Sequence, residues 1–223
     1  MNKNVALPTD CVIAITYGCN ARCTMCDIWK IKEPPEFGLE QFEKLPHTLK
    51  DINLSGGETF LHNKLPEIVF VVVKQCPKAR VVISSNGFAP DLIEKQMKEI
   101  LEIKPNIGVA ISIDGIDKMH DEIRGIPGGY DRAMDTVKRL QDLGMTNLRL
   151  SFTIMEENLT HLSRVYDKSR ELGIEFTYTF AQSSENYFGG KQIENHPNLQ
   201  ELKKQISYVM NGELRKFSPK SWV

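Results

Sequence analysis

Six short runs rich in branched apolar residues alternate with longer amphipathic segments along this chain. Such alternation is typical of βα units around a parallel sheet, because each helix returns the chain to the start of the next strand. Barrels of this kind close only at eight units. We therefore expect an α/β fold, a partial (β/α)6 TIM-like barrel of parallel strands. The predicted strands cover residues 11–17, 51–56, 80–86, 106–114, 147–155 and 174–180.

The spacing of apolar residues between these strands predicts five helices. Gly144 and Gly173 are predicted to end two of them, because glycine readily takes the left-handed conformation at a helix C-terminus. Asn158 or Thr160 is predicted to cap the start of the last one with a side-chain oxygen. The five helices are expected at residues 39–46, 64–76, 90–102, 129–143 and 158–172.

With 223 residues, the chain is long enough to bury a substantial core. The βα pattern fades after residue 182, and only one polar helix is predicted beyond it, at about 199–210. We therefore expect a core domain over residues 1–182 and a variable C-terminal extension over residues 183–223. The extension stops soon after its helix, so a stand-alone core and the N-terminal part of a longer protein both stay open.

The charges of the chain nearly cancel, with 28 basic against 29 acidic residues and a net charge of −1. This balance indicates no nucleic acid partner. No stretch approaches the ~18 apolar residues of a membrane span, so we expect no membrane association. The expected location is the cytoplasm, where reducing conditions favour metal-binding or catalytic cysteines over disulfides.

Three of the five cysteines lie within eight positions, in the sequence CNARCTMC after the first strand. A structural zinc site takes four protein ligands, so Cys19, Cys23 and Cys26 would need a distant fourth. A [4Fe-4S] cluster normally takes four cysteines, and three would leave one iron open to a chelating small molecule. The residues alone leave an iron-sulfur site, a zinc site and structural cysteines as alternatives. The candidates for a fourth zinc ligand are Cys11, Cys76, His47 and His62, each more simply explained as a small buried residue or a polar loop residue.

The spacing C-x3-C-x2-C at the end of a first strand resembles the signature of the radical S-adenosylmethionine (radical SAM) superfamily. The resemblance implies that Cys19, Cys23 and Cys26 hold a [4Fe-4S] cluster whose open iron is chelated by S-adenosyl-L-methionine. It implies an enzyme in which an electron from the cluster cleaves the cofactor, giving a 5′-deoxyadenosyl radical that abstracts hydrogen from a substrate. An electron donor such as flavodoxin or ferredoxin is then expected. Met25 takes the place of a bulky apolar residue near the adenine.

The sequence SGGETF ends the second predicted strand. Paired glycines alone indicate a turn or a close approach of backbone. In this place they resemble the GGE motif of the same superfamily. The resemblance implies that Gly56 and Gly57 bring bare backbone to the methionyl part of the cofactor, and that Glu58 accepts a hydrogen bond from its ammonium group.

The third and fourth strands end in SSNG and SIDG, at the edge where α/β barrels keep their active sites. Turn and cap chemistry explains both as well. By resemblance, Ser85, Asn86 and Ser112 reach the ribose or carboxylate of S-adenosylmethionine, and Asp114 faces the same cavity.

The sequence MHDEIRG after the fourth strand resembles radical SAM proteins that often carry a C-terminal SPASM domain, many of which modify peptides. Arg124 is expected to be an exposed loop arginine, and the alternative that the resemblance offers is that it binds a carboxylate. His120 is expected to be a cap or loop contact, and Trp29 to shield the cluster. Thr153 and Ile154 lie in the region that packs near adenine, which a core strand explains equally well.

No cysteine follows Cys76, so the auxiliary clusters of SPASM domains cannot form in this chain. Substrate and reaction stay open among peptide modification, small-molecule biosynthesis and cell-surface biosynthesis. The alternative is a non-enzymatic zinc or iron-sulfur protein with a structural or electron-transfer role.

Overall fold

A computed structural model describes residues 6–32, 37–185 and 188–216. Its strands form one sheet in sequence order, and every neighbouring pair is parallel. This confirms the α/β class and the six parallel strands of an incomplete barrel. The strands are β1 (Asp10–Thr16), β2 (Asp51–Gly56), β3 (Arg80–Ser85), β4 (Gly108–Ser112), β5 (Leu148–Ile154) and β6 (Glu175–Phe180).

Helices connect the strands, and two helices in the described part of the chain differ from the prediction, one in its length and one in having been missed. The four-residue α1 is half the predicted length, and α4 was not predicted at all. Seven residues are too few to show helical periodicity, which explains the miss. The helices are α1 (Leu39–Phe42), α2 (Leu65–Gln75), α3 (Pro90–Ile103), α4 (Lys118–Arg124), α5 (Gly129–Asp142), α6 (Leu162–Glu171) and α7 (Leu199–Lys216).

The predicted helix ends are confirmed, but the predicted cap is wrong. Gly144 and Gly173 follow α5 and α6 with φ of 81° and 68°. Asn158 stands at the start of a short 3-10 turn that precedes α6, yet its side chain makes no capping bond there. Its amide donates instead to the carbonyls of Asp114 and Thr153, at 3.0 and 2.9 Å. The buried amide thus satisfies the ends of two strands, and Thr160 is exposed.

One face of the sheet is apolar and the other is polar. In β5, Leu148, Leu150, Phe152 and Ile154 are buried in the core, whereas the alternate residues are partly exposed. Because side chains alternate across a strand, the second set points into the concave side of the barrel. That side carries small hydroxyl and amide side chains, among them Asn53, Ser84, Ser112, Ser151 and Thr153.

The described part of the predicted extension packs against the core. Ser163 of α6 donates its N–H to Gln205 of α7 at 2.9 Å, and Val209 of α7 is buried. The division at residue 182 stays a prediction, and residues 186–187 and 217–223 lie outside the described residues. No helix within the described ranges has the length and apolar character needed to cross a bilayer.

Candidate functional site

A cavity of about 430 Å³ opens at the carboxyl ends of the strands. Its wall contains Cys19, Cys23 and Cys26, so we call it the cysteine cavity. A second cavity, of about 480 Å³, lies along the concave face and is lined by Asp51, Arg80 and Arg149. The two cavities share Val12, Asn53 and Ser84 in their walls, so they adjoin each other on the concave side of the barrel.

The three cysteines lie on one loop, residues 17–27, which we call the cysteine loop. Its backbone is fixed by the last turn of α4, because Arg22 and Thr24 donate their N–H groups to the carbonyls of Arg124 and Ile123 at 2.9 and 2.8 Å. The final carbonyls of a helix have no partner within it. The cysteine loop supplies that partner, which joins the two segments closely.

The donor set suits an iron-sulfur cluster, because three thiol side chains line one cavity at a single loop. Burial raises the pKa of all three thiols, and it raises that of Cys19 to about 12. Binding of metal would therefore release protons from these groups. In the ranges that the structure describes, no three His, Cys, Asp or Glu side chains are grouped to hold a single metal ion.

The candidates for a fourth zinc ligand lie away from the three cysteines. None of the four lines the cysteine cavity: Cys11 lines the second cavity, Cys76 and His62 are buried elsewhere, and His47 is exposed. Cys11 was predicted to be a small buried residue, but it is only partly buried.

The glycine pair after β2 is required by a close approach of backbone. A Cβ atom on Gly56 would overlap the carbonyl oxygen of Thr16, and one on Gly57 would overlap that of Gly18. Gly56 also has a φ of +122°, which side chains rarely tolerate. Gly57 donates its N–H to Thr16 at 2.7 Å. The turn therefore packs directly on the start of the cysteine loop.

Glu58 is completely buried and joins the ends of two strands. Its carboxylate accepts hydrogen bonds from the Ser85 hydroxyl at 2.8 Å and from the backbone N–H groups of Asn86 and Phe60 at 2.7 and 3.2 Å. Burial raises the pKa of Glu58, and these hydrogen bonds oppose the rise. The motif glutamate is thus a structural link, a role that the sequence did not indicate.

Asn86 lines the cysteine cavity, as do Ser85 and Ser112. Its amide donates to Asn20 at 2.7 Å, and its Nδ2 lies 4.0 Å from the sulfur of Cys19. The third and fourth strands therefore do bring these side chains to the cysteines. Met25 also lines the cavity, as do Gly56 and Gly57.

Asp114 is completely buried behind the cavity wall. One carboxylate oxygen accepts the N–H of Thr153 at 2.7 Å, and the other lies 2.6 Å from Nη2 of Arg124. Burial raises the pKa of Asp114, and Arg124 opposes the rise. The carboxylate is therefore engaged within the protein and does not belong to the residues that line the cavity.

The expectation that Arg124 is an exposed loop residue is wrong. Arg124 ends α4, and its side chain is only 11% exposed. The carboxylate that it binds is that of Asp114, while its Nη1 lies 3.6 Å from the sulfur of Cys23. Burial lowers the pKa of Arg124, but the charges of Asp114 and Cys23 outweigh burial and hold it above its ordinary value. The unpredicted helix α4 is the reason for the error.

His120 makes the expected loop contact, but from a completely buried position within helix α4. Its Nδ1 accepts the backbone N–H of Asp114 at 3.1 Å, and its ring contacts Phe88 and Tyr130 edge to face. Burial, with the charge of Arg124, lowers the pKa of His120 to about 3. The imidazole is therefore neutral near pH 7 and carries its proton on Nε2.

Trp29 and Thr153 line the cysteine cavity, whereas Ile154 is completely buried in the core. The indole N–H of Trp29 donates to the carbonyl of Cys26 at 2.9 Å. This bond places the ring beside the cysteine loop. Of the two β5 residues expected near adenine, only Thr153 faces the cavity.

Comparison with known proteins places this geometry in a family. The profile of the Radical SAM superfamily matches residues 13–168. The sporulation killing factor maturation protein SkfB of Bacillus subtilis (strain 168) is 34% identical over 75% of this chain and 41% of its own. The antilisterial bacteriocin subtilosin biosynthesis protein AlbA of the same organism is 28% identical over 90% of this chain and 46% of its own. The chain thus spans less than half the length of these two relatives.

Solved structures share the fold. Streptococcus suis SuiB, crystallised with S-adenosylmethionine, matches with a TM-score of 0.71 at 18% identity, over 94% of this chain and 45% of that one. The protein anSMEcpe, solved with AdoMet and a peptide, matches with a TM-score of 0.69 at 16% identity, over 93% of this chain and 60% of that one. The chain belongs to the radical SAM superfamily, whose members use a [4Fe-4S] cluster and S-adenosylmethionine.

Proposed function

We propose that this chain is the core of a radical SAM enzyme in which Cys19, Cys23 and Cys26 hold the [4Fe-4S] cluster. The observation that carries the proposal is that the three thiols share one cavity with the glycine turn and the polar ends of β3 and β4. When bound, the cluster supplies the electron that cleaves S-adenosylmethionine, and the resulting 5′-deoxyadenosyl radical removes hydrogen from the substrate. A non-enzymatic metal protein gives no reason for the same cavity to gather these polar groups.

The wall of the cysteine cavity supports a division of roles toward the cofactor. The backbone of Gly56 and Gly57 lies in the wall, where its polar groups can meet the methionyl part. Glu58 holds the turn behind it, and its carboxylate favours a nearby ammonium group. Ser85, Asn86 and Ser112 offer hydroxyl and amide groups to the ribose or carboxylate, with Met25 on the apolar side. Because Asp114 is engaged by Arg124, we assign it to the support of that residue.

The substrate class that we propose is a peptide. Two of the curated relatives are, by name, a killing factor maturation protein and a bacteriocin biosynthesis protein. A second cavity adjoins the cysteine cavity on the concave face, which offers room for a chain that extends past the reacting atom. Because this chain spans less than half of those relatives, the reaction of the whole protein is part of the proposal.

The electron is proposed to come from a small one-electron carrier such as flavodoxin or ferredoxin. The cytoplasm is the proposed location, since all five cysteines are free and a reducing compartment keeps thiols available for a cluster. The location follows because the cysteine site needs reduced thiols to hold a cluster. The carrier follows because the cluster needs an electron to cleave S-adenosylmethionine.

The test uses the chain reconstituted with iron and sulfide under anaerobic conditions. It is incubated with S-adenosylmethionine, dithionite and each short peptide encoded beside its gene, and the peptides are then analysed by mass spectrometry. We expect one peptide to change mass as 5′-deoxyadenosine forms in comparable amount. The peptide assignment would be excluded if 5′-deoxyadenosine formed while every peptide kept its mass, and if the hydrogen that it gained came from a labelled small-molecule substrate instead.

A further inference from the structure

Arg124 is the only residue with a basic or acidic side chain among the described residues that line the cysteine cavity. Its Nη1 lies 3.6 Å from the sulfur of Cys23, within hydrogen-bonding reach of a sulfur acceptor. The side chain is only 11% exposed, so water does little to screen its charge. A buried cation therefore faces a proposed cluster ligand directly.

The guanidinium is held in this place by a chain of buried contacts. Asp114 binds its Nη2 at 2.6 Å. Asp114 is itself fixed, because its carboxylate accepts the N–H of Thr153 and its own N–H is accepted by His120. Asn158 donates to the carbonyl of Asp114 at 3.0 Å. Three residues, Thr153, His120 and Asn158, thus hold the residue that orients Arg124.

The backbone of Arg124 meets the same loop as its side chain. Its carbonyl accepts the N–H of Arg22 at 2.9 Å, and the preceding carbonyl accepts that of Thr24 at 2.8 Å. These residues flank Cys23 on either side. Asp114 thus holds the guanidinium, and the backbone hydrogen bonds hold the segment that carries Cys23. Together they fix the distance between the guanidinium and the sulfur.

We propose that Arg124 is a positioning residue that raises the reduction potential of the cluster, by donating an N–H to the Cys23 sulfur and by placing a buried positive charge beside it. The inference rests on the function proposed above. One electron from a low-potential donor adds one negative charge to the cluster, and no bond forms or breaks. Hydrogen bonds to the cluster sulfurs and a nearby positive charge stabilise the reduced cluster, which carries one more negative charge than the oxidised cluster. The negative charge of Asp114 offsets part of the positive charge of Arg124. The reduction potential should therefore lie between that of a site without Arg124 and that of a site in which the charge of Arg124 is not offset.

The test is a redox titration of the anaerobically reconstituted chain with dithionite and mediators, followed by electron paramagnetic resonance of the reduced cluster. S-adenosylmethionine is left out. Arg124→Gln should lower the equilibrium constant for one-electron reduction about tenfold, which is about 59 mV. Asp114→Asn should shift the potential the opposite way, because the charge of Arg124 is no longer offset. A merely structural role of the pair would not give opposite signs.

The matched control is Arg22→Gln, which removes a positive charge from the cysteine loop itself. Arg22 is exposed and donates to the carbonyls of Cys19 and Ala21, not to a sulfur. Because solvent screens an exposed charge, its shift should be a small fraction of that of Arg124→Gln. Equal shifts in the two variants would overturn the proposal.

Iron analysis separates this inference from the one beneath it. A wild-type chain that takes up no cluster would overturn the proposed function. A loaded wild type whose potential matches that of loaded Arg124→Gln would overturn only the role of Arg124. If Arg124→Gln does not load iron, Asp114→Asn decides, and a potential equal to or below that of the wild type contradicts the proposal.

Discussion

The backbone N–H of Asn86 donates to the Glu58 carboxylate across 2.7 Å. This bond joins the loops that follow β2 and β3, and the hydroxyl of Ser85 strengthens the same link at 2.8 Å. Two motifs that the sequence assigned to a cofactor therefore also bind each other. These hydrogen bonds hold the cavity wall in shape, and such support behind a site is what precise binding needs.

The first prediction is that Glu58→Gln destabilises the chain. The amide nitrogen of glutamine cannot accept, so a buried donor at Asn86 or Ser85 loses its partner. The free energy of unfolding should fall by about 1 to 3 kcal/mol, the cost of an unsatisfied buried group. Urea denaturation of the metal-free chain measures it, with the exposed Glu40→Gln as control. Equal midpoints in wild type and Glu58→Gln would contradict the structural role.

The second prediction concerns cofactor affinity in the same variant. The negative charge of the Glu58 carboxylate behind the glycine turn should attract the ammonium group of the cofactor more strongly than a neutral amide does. The reconstituted Glu58→Gln should therefore keep its iron and bind S-adenosylmethionine more weakly, as equilibrium dialysis would show. If the two proteins bind with equal affinity, the carboxylate does not act on the cofactor.

The third prediction contrasts two glycines. In Gly57→Ala the new methyl group meets the backbone of Gly18, so the cysteine loop must move and iron loading should fall. Gly173→Ala places a methyl group in open space at a φ of +68°, which costs about 1 kcal/mol of stability and leaves loading unchanged. Iron content and thermal unfolding measure both effects. Full loading of Gly57→Ala would show that the close approach is not needed.

The fourth prediction is a pH dependence of stability that arises from His120. Its pKa is about 3 in the folded chain, against an ordinary value near 6.5. Above pH 6.5 both states are neutral at this group, and below it only the unfolded state binds the proton. The free energy of unfolding should therefore decrease as pH falls from 6.5 toward 3, by up to about 1.4 kcal/mol per pH unit.

His120→Asn isolates that contribution, because its side-chain oxygen can still accept the N–H of Asp114 without binding a proton. Denaturation curves at a series of pH values should give a shallower slope for this variant than for the wild type. Parallel slopes for wild type and His120→Asn would mean that the group is not buried in a neutral form.

The sequence predicted the strands, the order of the sheet and the edge at which the polar motifs gather, because these follow from apolar periodicity and from the geometry of parallel strands. It could not predict α4, whose seven residues show no clear period. The pairing of Asp114 with Arg124 depends on the direction of that helix, so it was hidden as well. Asn158 was mistaken for a cap because one of its partners, the carbonyl of Asp114, lies 44 positions away in the sequence.

The remaining measurement tests the central claim, that Cys19, Cys23 and Cys26 hold a cluster that cleaves S-adenosylmethionine. Chromatography measures 5′-deoxyadenosine formed by the anaerobically reconstituted chain with dithionite. The wild type should form it and Cys23→Ala should not, while the control Cys11→Ala should match the wild type because Cys11 does not line the cysteine cavity. Undiminished formation by Cys23→Ala, or none by a wild type that carries its iron, would contradict the account.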